Sequence, residues 1–351
     1  MKRILVYENW RKKEPTLIGN LYIEGVKGKE VCSFEYDSGW LKDSDNLQLD
    51  PDLSLFKGRQ FAPAEKQLFG IFEDSCPDRW GRTLMDRREA AIARAESRKP
   101  RSLTESDYLL GVHDKSRMGA LRFKLEDSEQ FLSDNSEMAA PPWIALRKLN
   151  DAVAEFENDK ARSDKWLQML IAPGSSLGGA RPKANVIAPD GSLWIAKFPS
   201  RNDKSNCGAW EKTIYELAGM CGLSVVESKL EKFSKIGSTF LVKRFDRDDH
   251  LRNHGFLLTA KGWTLSPVFD VNPNPYGENL SLNVTENDST ISTELALETC
   301  EFFGMPCAKA KSTIAEMRRT VKENWQLIAN TNGIPRSEQA FMAPAFAEAE
   351  K

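Results

Sequence analysis

An α+β fold is expected for this chain, in which a small domain of strands and helices precedes a second domain. Three features of the sequence lead to this expectation. Short apolar segments separated by glycines at the start are typical of strands, and the apolar spacing over 63–99 is typical of helices. A polar stretch that becomes rich in Ala and Pro over 126–142 is typical of a linker between domains.

The amino-terminal domain is expected over 1–125. Its strands are predicted at four apolar segments: 3–8, 16–24, 30–41 and 118–123. Within the helical region 63–99, "CPDRWGR" at 76–82 predicts a break between two helices. Thr104 followed by Asp107 is a variant of the capping box, which predicts a helix start there.

The bulk composition excludes few functions. The chain has 351 residues, of which 40% are hydrophobic and 28% charged, as is ordinary for a globular protein with room for two domains. A net charge of −2 gives no indication of direct binding to nucleic acid or membranes. One local exception is the basic run 87–101, for which a solvated helix face is favoured and a phosphate- or partner-facing patch is the alternative.

Cysteine usage and hydropathy favour a cytoplasmic protein with reduced thiols. None of the six cysteines forms a C-x-x-C pair, and no zinc-binding spacing occurs. The start, "MKRILVYENW", has too short an apolar run for a signal peptide. No segment approaches the roughly 18 apolar residues of a membrane span.

The second domain is expected to begin with a helix at Trp143. Apolar residues recur at helical spacing after Pro142, a first-turn proline: Leu146, Leu149, Val153 and Phe156. Two apolar segments, "KANVIAP" and "LWIAKFP", flank Asp190 and Gly191 and predict an antiparallel hairpin. A further helix is predicted over 208–223.

A glycine- and serine-rich loop, "APGSSLGGARPK", precedes the hairpin. Its glycines allow backbone N–H groups to approach an anion closely, although the loop matches neither the Walker A nor the G-x-G-x-x-G pattern. A lysine, Lys197, follows on the second strand, and the upper lobe of a protein kinase holds ATP with such a loop, hairpin and lysine. Glu211 or Glu216 on the next helix could pair with this lysine, whereas an edge lysine that reaches solvent is the alternative.

A second group of polar side chains follows the strand predicted over 238–246. In kinase-like sites an aspartate orients or deprotonates the substrate hydroxyl, and a nearby asparagine supplies an amide oxygen to Mg²⁺. Asp248 and Asn253 fit these two roles. Asp270 offers a second carboxylate for Mg²⁺, and it follows two predicted strands, 255–259 and 263–266.

The histidines in this group allow another interpretation. His250 and His254 have the i, i+4 spacing of helical zinc sites, but no glutamate follows the first histidine as it does in zinc proteases. A structural role for His250, in which it bonds the loop backbone, is favoured over catalytic zinc.

The motifs together resemble the HipA family of bacterial toxin kinases. The resemblance covers nearly the whole chain, and its motifs occur in order: "LFGIFEDSCPDRWGR", "MGALRF", "SSLGGARPK", "LWIAKFP", "FLVKRFDR", "DDHLRNHGFLL", "SPVFDVNP" and "ENLSLNVTENDST". It implies a two-lobed, protein-kinase-like α+β fold behind the amino-terminal domain. The implied boundaries are a linker at 126–142, an upper lobe at 143–246 and a shortened, mostly helical lower lobe at 247–351.

The resemblance also implies a function and its residues. The chain would be a serine/threonine kinase of a type II toxin–antitoxin system that uses ATP and Mg²⁺ to phosphorylate a protein, with an aminoacyl-tRNA synthetase as family precedent. Asp248 would be catalytic, Asn253 and Asp270 would hold Mg²⁺, and Ser176 would be autophosphorylated, which ejects the loop and switches the enzyme off. Nucleotide-binding residues would be Ser176, Gly178, Gly179, Lys183, Lys197, the hinge Lys243, Arg244 and Phe245, and His250.

The implied partners are a HipB-like helix-turn-helix antitoxin, a protein substrate, and operator DNA reached mainly through the antitoxin. One departure separates this chain from the family pattern. In HipA-like kinases several dozen residues lie between "RFDR" and the catalytic aspartate, whereas here only Arg247 separates Asp246 from Asp248. Two extended residues span at most roughly 7 Å.

The missing segment between Asp246 and Asp248 allows several interpretations. The chain could be an inactive, internally deleted homologue that binds the antitoxin and regulates operator binding, or the gene sequence could have lost a segment. Alternatively, residues 290–330 could rebuild a compact lower lobe. A small-molecule kinase on a similar fold fits the nucleotide motifs but not the family-like front domain.

Overall fold

The computed structural model describes most of the chain in two compact units. The first unit comprises Met1–Arg201 and Val242–Leu265, and the second comprises Asn202–Leu241 and Ser266–Lys351. The described residues are 1–9, 14–26, 29–43, 48–132, 140–158, 169–171, 174, 179–245, 256–259, 262–277, 279–280 and 283–351.

The first unit opens with an antiparallel five-stranded sheet. Its strands are β1 (Lys2–Glu8), β2 (Thr16–Val26), β3 (Lys29–Tyr36), β4 (Gln60–Phe61) and β5 (Leu121–Leu125), in the spatial order β4-β3-β2-β1-β5. Inward-facing residues pack into an aromatic core in which the Phe34 and Phe123 rings both contact Phe72. Gly19 permits the close approach of β2 to β3, because a Cβ there would lie 2.3 Å from the Glu35 carbonyl oxygen.

The prediction of a strand over 30–41 is wrong at its carboxy-terminal end. β3 stops at Tyr36, and a short helix, α1 (Ser38–Lys42), follows. Asp37 acts as its N-cap by accepting a hydrogen bond from the Gly39 N–H, and Trp40 is buried. The Asp-Ser-Gly sequence therefore starts a helix where the apolar pattern suggested a continued strand.

Three helices lie between β4 and β5 in the chain: α2 (Gly70–Asp74), α3 (Arg79–Ala95) and α4 (Glu105–Gly111). The predicted break is confirmed, although the chain is helical again from Arg79. The predicted capping box of α4 is also confirmed, since Thr104 accepts from the Asp107 N–H and Asp107 accepts from the Thr104 N–H.

Two arginines of the basic run 87–101 pair with acidic side chains of the same unit. Arg98 pairs with Glu89 and Glu96, and Arg101 pairs with Asp107. The Arg87 guanidinium lies over the Phe156 ring at 5.5 Å. Arg98 and Arg101 therefore stabilise the end of α3 and the segment that follows it.

The rest of the first unit carries the predicted hairpin. Helix α5 (Leu146–Glu157) buries all four predicted apolar positions. Strands β6 (Lys183–Ile187) and β7 (Leu193–Lys197) pair antiparallel across the turn at Gly191, whose φ is +82°. Strand β9 (Thr239–Lys243) ends in this unit beside β7, and β10 (Phe256–Thr259) pairs with β11 (Gly262–Leu265), which confirms the second predicted strand pair.

The second unit is mainly helical. Helix α6 (Cys207–Met220) is followed by β8 (Ser228–Glu231) and by the first part of β9, which lies beside β8. The later helices are α7 (Thr293–Thr299), α8 (Cys307–Thr331), α9 (Arg336–Met342) and α10 (Ala347–Glu350). In the core, Trp325 stacks on Phe346 with ring centroids 4.4 Å apart, and Trp210 lies against both rings.

Helices and sheets thus occur together, and the α+β expectation is confirmed. All six cysteines are free thiols. Within the described part of the chain, no helix has the length and apolar character needed to span a membrane.

Candidate active site

Two buried lysines face each other on the β6–β7 hairpin. Lys183 and Lys197 are partners in the antiparallel register, so their side chains emerge on the same face of the sheet. Their Cβ atoms are expected about 5 Å apart, and the two residues are only 6% and 8% exposed. Two ammonium groups at opposite positions concentrate positive charge on one face of the hairpin. An anion bound at this face would therefore interact favourably with both ammonium groups.

The Lys183 side chain reaches back to Gly179 of the glycine-rich loop. Gly179 has a φ of +84°, which L residues rarely adopt, and a Cβ there would lie 2.7 Å from Lys183 Nζ. A side chain at this position would be strained by the positive φ and would displace the ammonium group. The structure brings together three of the predicted nucleotide-binding residues, Gly179, Lys183 and Lys197, in one part of the first unit.

The same sheet face continues to a fully buried asparagine, which the sequence patterns did not single out. Asn185 lies two residues after Lys183, and its Oδ1 accepts a hydrogen bond of 2.7 Å from Arg244 Nη1. Arg244 also donates to the backbone oxygens of Ser116 at 3.0 Å and Arg117 at 3.3 Å. Its guanidinium is therefore hydrogen-bonded both to Asn185 of β6 and to the backbone of the amino-terminal region.

The predicted hinge follows the end of β9. Lys243 closes the strand, and Phe245 is the last residue described before 246–255. Between them, the Arg244 backbone N–H donates to the Leu193 oxygen at 2.9 Å. A hinge contact from Arg244 to an adenine ring would consequently use a backbone group other than this N–H.

The segment that accepts from Arg244 is itself fixed by a buried arginine. Arg117 donates to the backbone oxygens of Ser75, Leu109 and Val112. Burial lowers the pKa of Arg117 to about 10, with Asp114 acting in the opposite direction. The side chain is still protonated at neutral pH, because that value lies well above 7.

Asp270 belongs to the second unit. Val268, two residues earlier, forms a parallel bridge with Val225, and its N–H donates to the Ser224 oxygen at 2.8 Å. Asp270 then adopts a φ of 54°, in the left-handed region. On α6, Glu216 pairs with Lys212 at 3.1 Å, whereas Glu211 is buried.

The other predicted site residues lie outside the described residues. They are Ser176, Gly178, Asp248, His250 and Asn253. Among the residues that the structure does describe, no group of three or more His, Cys, Asp or Glu side chains is arranged to hold a metal ion. The predicted Mg²⁺ ligands thus include one described residue, Asp270.

Two family models match separate parts of the chain. The model of the HipA N-terminal domain matches 14–124. The model of the HipA-like C-terminal domain matches 175–248 and 247–325, two pieces that meet at Arg247 and Asp248. No curated protein matches this chain.

Among solved structures, 21 chains match. One belongs to the complex of the Shewanella oneidensis MR-1 toxin–antitoxin system HipA, HipB and its operator DNA. It matches with a TM-score of 0.59 and 13% identity, over 99% of this chain and 95% of that chain. At this identity the likeness shows the fold, while the two family models cover most of the sequence. The chain therefore belongs to the HipA family.

Proposed function

We propose that this chain is a serine/threonine protein kinase that uses ATP and Mg²⁺ and acts as the toxin of a type II toxin–antitoxin system. The observation that carries the proposal is the buried pair Lys183 and Lys197 beside Gly179. Two ammonium groups next to a glycine with a positive φ make a site suited to a polyphosphate. The residues present thus fit the nucleotide.

In this proposal Lys197 holds the α- and β-phosphates and Lys183 supports them from the opposite strand. The hinge Lys243–Phe245 and His250 contact the rest of the nucleotide. The Asn253 amide oxygen and the Asp270 carboxylate hold Mg²⁺, because hard oxygen ligands suit this ion. ATP, when bound, supplies the γ-phosphoryl group.

Asp248 is the proposed general base. It accepts the proton of the attacking hydroxyl as the new O–P bond forms and the bond between the γ-phosphorus and the ADP oxygen breaks. With Ser176 as the attacking residue, the product carries nearly two negative charges beside the phosphate site. Repulsion from bound nucleotide then disfavours further turnover.

The proposed partners are a HipB-like helix-turn-helix antitoxin, operator DNA reached mainly through it, and a protein substrate such as an aminoacyl-tRNA synthetase. The solved complex with HipB and operator DNA supports the first two, because its HipA fold matches this chain. We place the protein in the cytoplasm, where ATP, operator DNA and reduced thiols occur together.

The test is transfer of labelled γ-phosphate from ATP to Ser176 in purified protein. Wild type should label Ser176, while Ser176→Ala and Asp248→Asn should not. Lys197→Met should lower ATP affinity at least tenfold, since charge-assisted bonds to phosphate are lost. Lys229→Met, on an exposed position of β8, is the matched control. A wild-type chain that fails to bind ATP would refute the proposal.

A second candidate is a catalytically inactive module that binds the antitoxin and regulates operator binding. It is favoured by the two pieces of the C-terminal family match, which meet at Arg247 and Asp248, where the sequence lacks the segment expected before the catalytic aspartate. ATP binding without phosphate transfer to any protein would support this candidate over the kinase.

A further inference from the structure

The start of helix α3 contacts the glycine-rich loop, 101 residues later in the chain. Asp78 is the N-cap residue of α3. Its side chain makes no capping hydrogen bond to the backbone of this helix, every residue of which the structure describes. Instead, Asp78 Oδ2 accepts from the Gly179 N–H at 2.8 Å. The Trp80 N–H donates to the Gly179 oxygen at 3.0 Å, so α3 binds both backbone groups of this glycine.

Trp80 also binds the first residue of β6. Its indole Nε1 donates to the Lys183 oxygen at 2.8 Å. The Trp80 side chain is fixed, because it is 4% exposed and its ring meets the Phe156 ring edge-on with centroids 5.4 Å apart. The backbone at the base of the Lys183 side chain is thereby fixed as well.

Gly174, near the start of the glycine-rich loop, also lies against α3. A Cβ on Gly174 would be 2.8 Å from Leu84 Cδ1, 3.0 Å from the Lys183 oxygen and 3.1 Å from Trp80 Nε1. Gly174 and Gly179, the described residues on either side of 175–178, thus both meet the same helix. A side chain at position 174 would require these neighbours to shift.

We propose that Asp78 and Trp80 are positioning residues for the nucleotide, through which the amino-terminal domain sets the place of Gly179 and Lys183. This inference rests on the proposed function. Phosphate recognition depends on donors held in place before the ligand arrives, and small displacements of such donors cost much affinity. Neither residue needs to touch the nucleotide, because each acts through the backbone of the loop and of β6.

The first measurement needs no nucleotide. Hydrogen–deuterium exchange over 174–187 should be faster in Asp78→Ala and Trp80→Phe than in wild type. Asp78→Asn keeps an oxygen acceptor and should restore the wild-type rate. Asp86→Ala is the matched control, since this carboxylate lies on the same helix and accepts from the Tyr108 hydroxyl. Equal exchange in Asp78→Ala and Asp86→Ala would overturn the proposed role.

The second measurement uses ATP and Mg²⁺. Asp78→Ala should raise KM for ATP about tenfold with a smaller change in kcat, because non-reacting phosphates are bound equally in ground and transition states. Asp78→Asn should recover most of the loss, and Trp80→Phe keeps the packing against Phe156 so that a folding defect is avoided. An unchanged KM in both Asp78→Ala and Trp80→Phe would contradict the inference.

The two measurements distinguish failure of the proposed function from failure of the positioning role alone. If wild type binds no ATP, the proposed function fails and the nucleotide role of Asp78 and Trp80 fails with it, whatever the exchange rates are. If wild type binds ATP but the variants match it in exchange and in KM, only the positioning role is overturned.

Discussion

Among single residues, Asp270 is unusual because its backbone has a positive φ. Its φ of 54° lies in the left-handed region, where an L residue loses on the order of 1–2 kcal/mol. Aspartate and asparagine tolerate this region better than most residues. Strain of this kind is often found at functional sites, which agrees with the proposed role of the carboxylate as a Mg²⁺ ligand.

Replacing Asp270 with glycine should separate stability from function. Asp270→Gly should leave the free energy of unfolding unchanged or raise it by up to about 1 kcal/mol, since glycine adopts positive φ without strain. The same variant should lose the dependence of ATP binding on Mg²⁺. Urea unfolding and ATP titrations with and without Mg²⁺ measure both effects.

Asp270→Asn is the matched variant, because it keeps an amide oxygen and the tolerance for positive φ while removing the charge. It should weaken Mg²⁺-dependent binding of ATP. It should not show the gain in the free energy of unfolding that is expected of Asp270→Gly. If Asp270→Gly binds ATP with the full Mg²⁺ dependence of wild type, the residue is not a ligand.

At the scale of elements, local patterns predicted most of the described strands and helices. The Asp190–Gly191 turn, the capping box at Thr104 and the apolar spacing of α5 each depend on residues close in sequence, and each was confirmed. The helix at Ser38–Lys42 was missed, because an N-cap at Asp37 competed with an apolar run that resembles a strand.

The connection between α3 and α4 depends on one carboxylate. Glu89 on α3 accepts hydrogen bonds from Arg98 at 2.5 Å and from the Arg101 N–H at 3.0 Å. These bonds, first that from Arg98 and then that from Arg101, lower the pKa of Glu89 from 4.5 to about 2. The ionised carboxylate thus joins the end of α3 to the segment that leads into α4.

This pKa predicts how stability changes with pH. Because the folded-state pKa is depressed, Glu89 stabilises the fold fully above the unfolded value near 4.5, and this contribution is lost as the pH falls towards about 2. Wild type should therefore be more stable than Glu89→Gln at pH 7, and the difference should shrink below pH 4.5. Thermal unfolding across pH 2–7 measures it, with Glu129→Gln at an exposed position as control. A difference that does not change with pH would contradict the assignment.

At the scale of the whole molecule, long-range contacts limit what the sequence could predict. Asp78 with Gly179, and Arg244 with Ser116, join residues more than 100 positions apart, and no local periodicity encodes such pairs. The sequence motifs did point to Lys183 and Lys197, but their opposite positions and shared burial follow from the hairpin register. The site residues could therefore be predicted one by one, whereas their support by α3 depends on contacts between distant parts of the chain.

Both units are discontinuous, so each is completed only by a later part of the chain. The second unit begins at Asn202 but needs Ser266–Lys351 for its core. Glu338 on α9 accepts from the Asn206 N–H and from Trp210 Nε1, both at 2.7 Å. The carboxy-terminal helices therefore fix the beginning of α6, and contacts of such high sequence separation are expected to slow folding.

Phe346 tests whether these terminal contacts hold the second unit together. Its ring is stacked on Trp325 and lies 6.0 Å from Trp210, so truncation removes a buried aromatic contact at the end of the chain. Phe346→Ala should cost about 3–5 kcal/mol in the free energy of unfolding. Phe346→Leu keeps much of the apolar volume and should cost clearly less. Urea unfolding followed by tryptophan fluorescence measures both, and a loss below about 1 kcal/mol in Phe346→Ala would mean that the unit is stable without its carboxy-terminal segment.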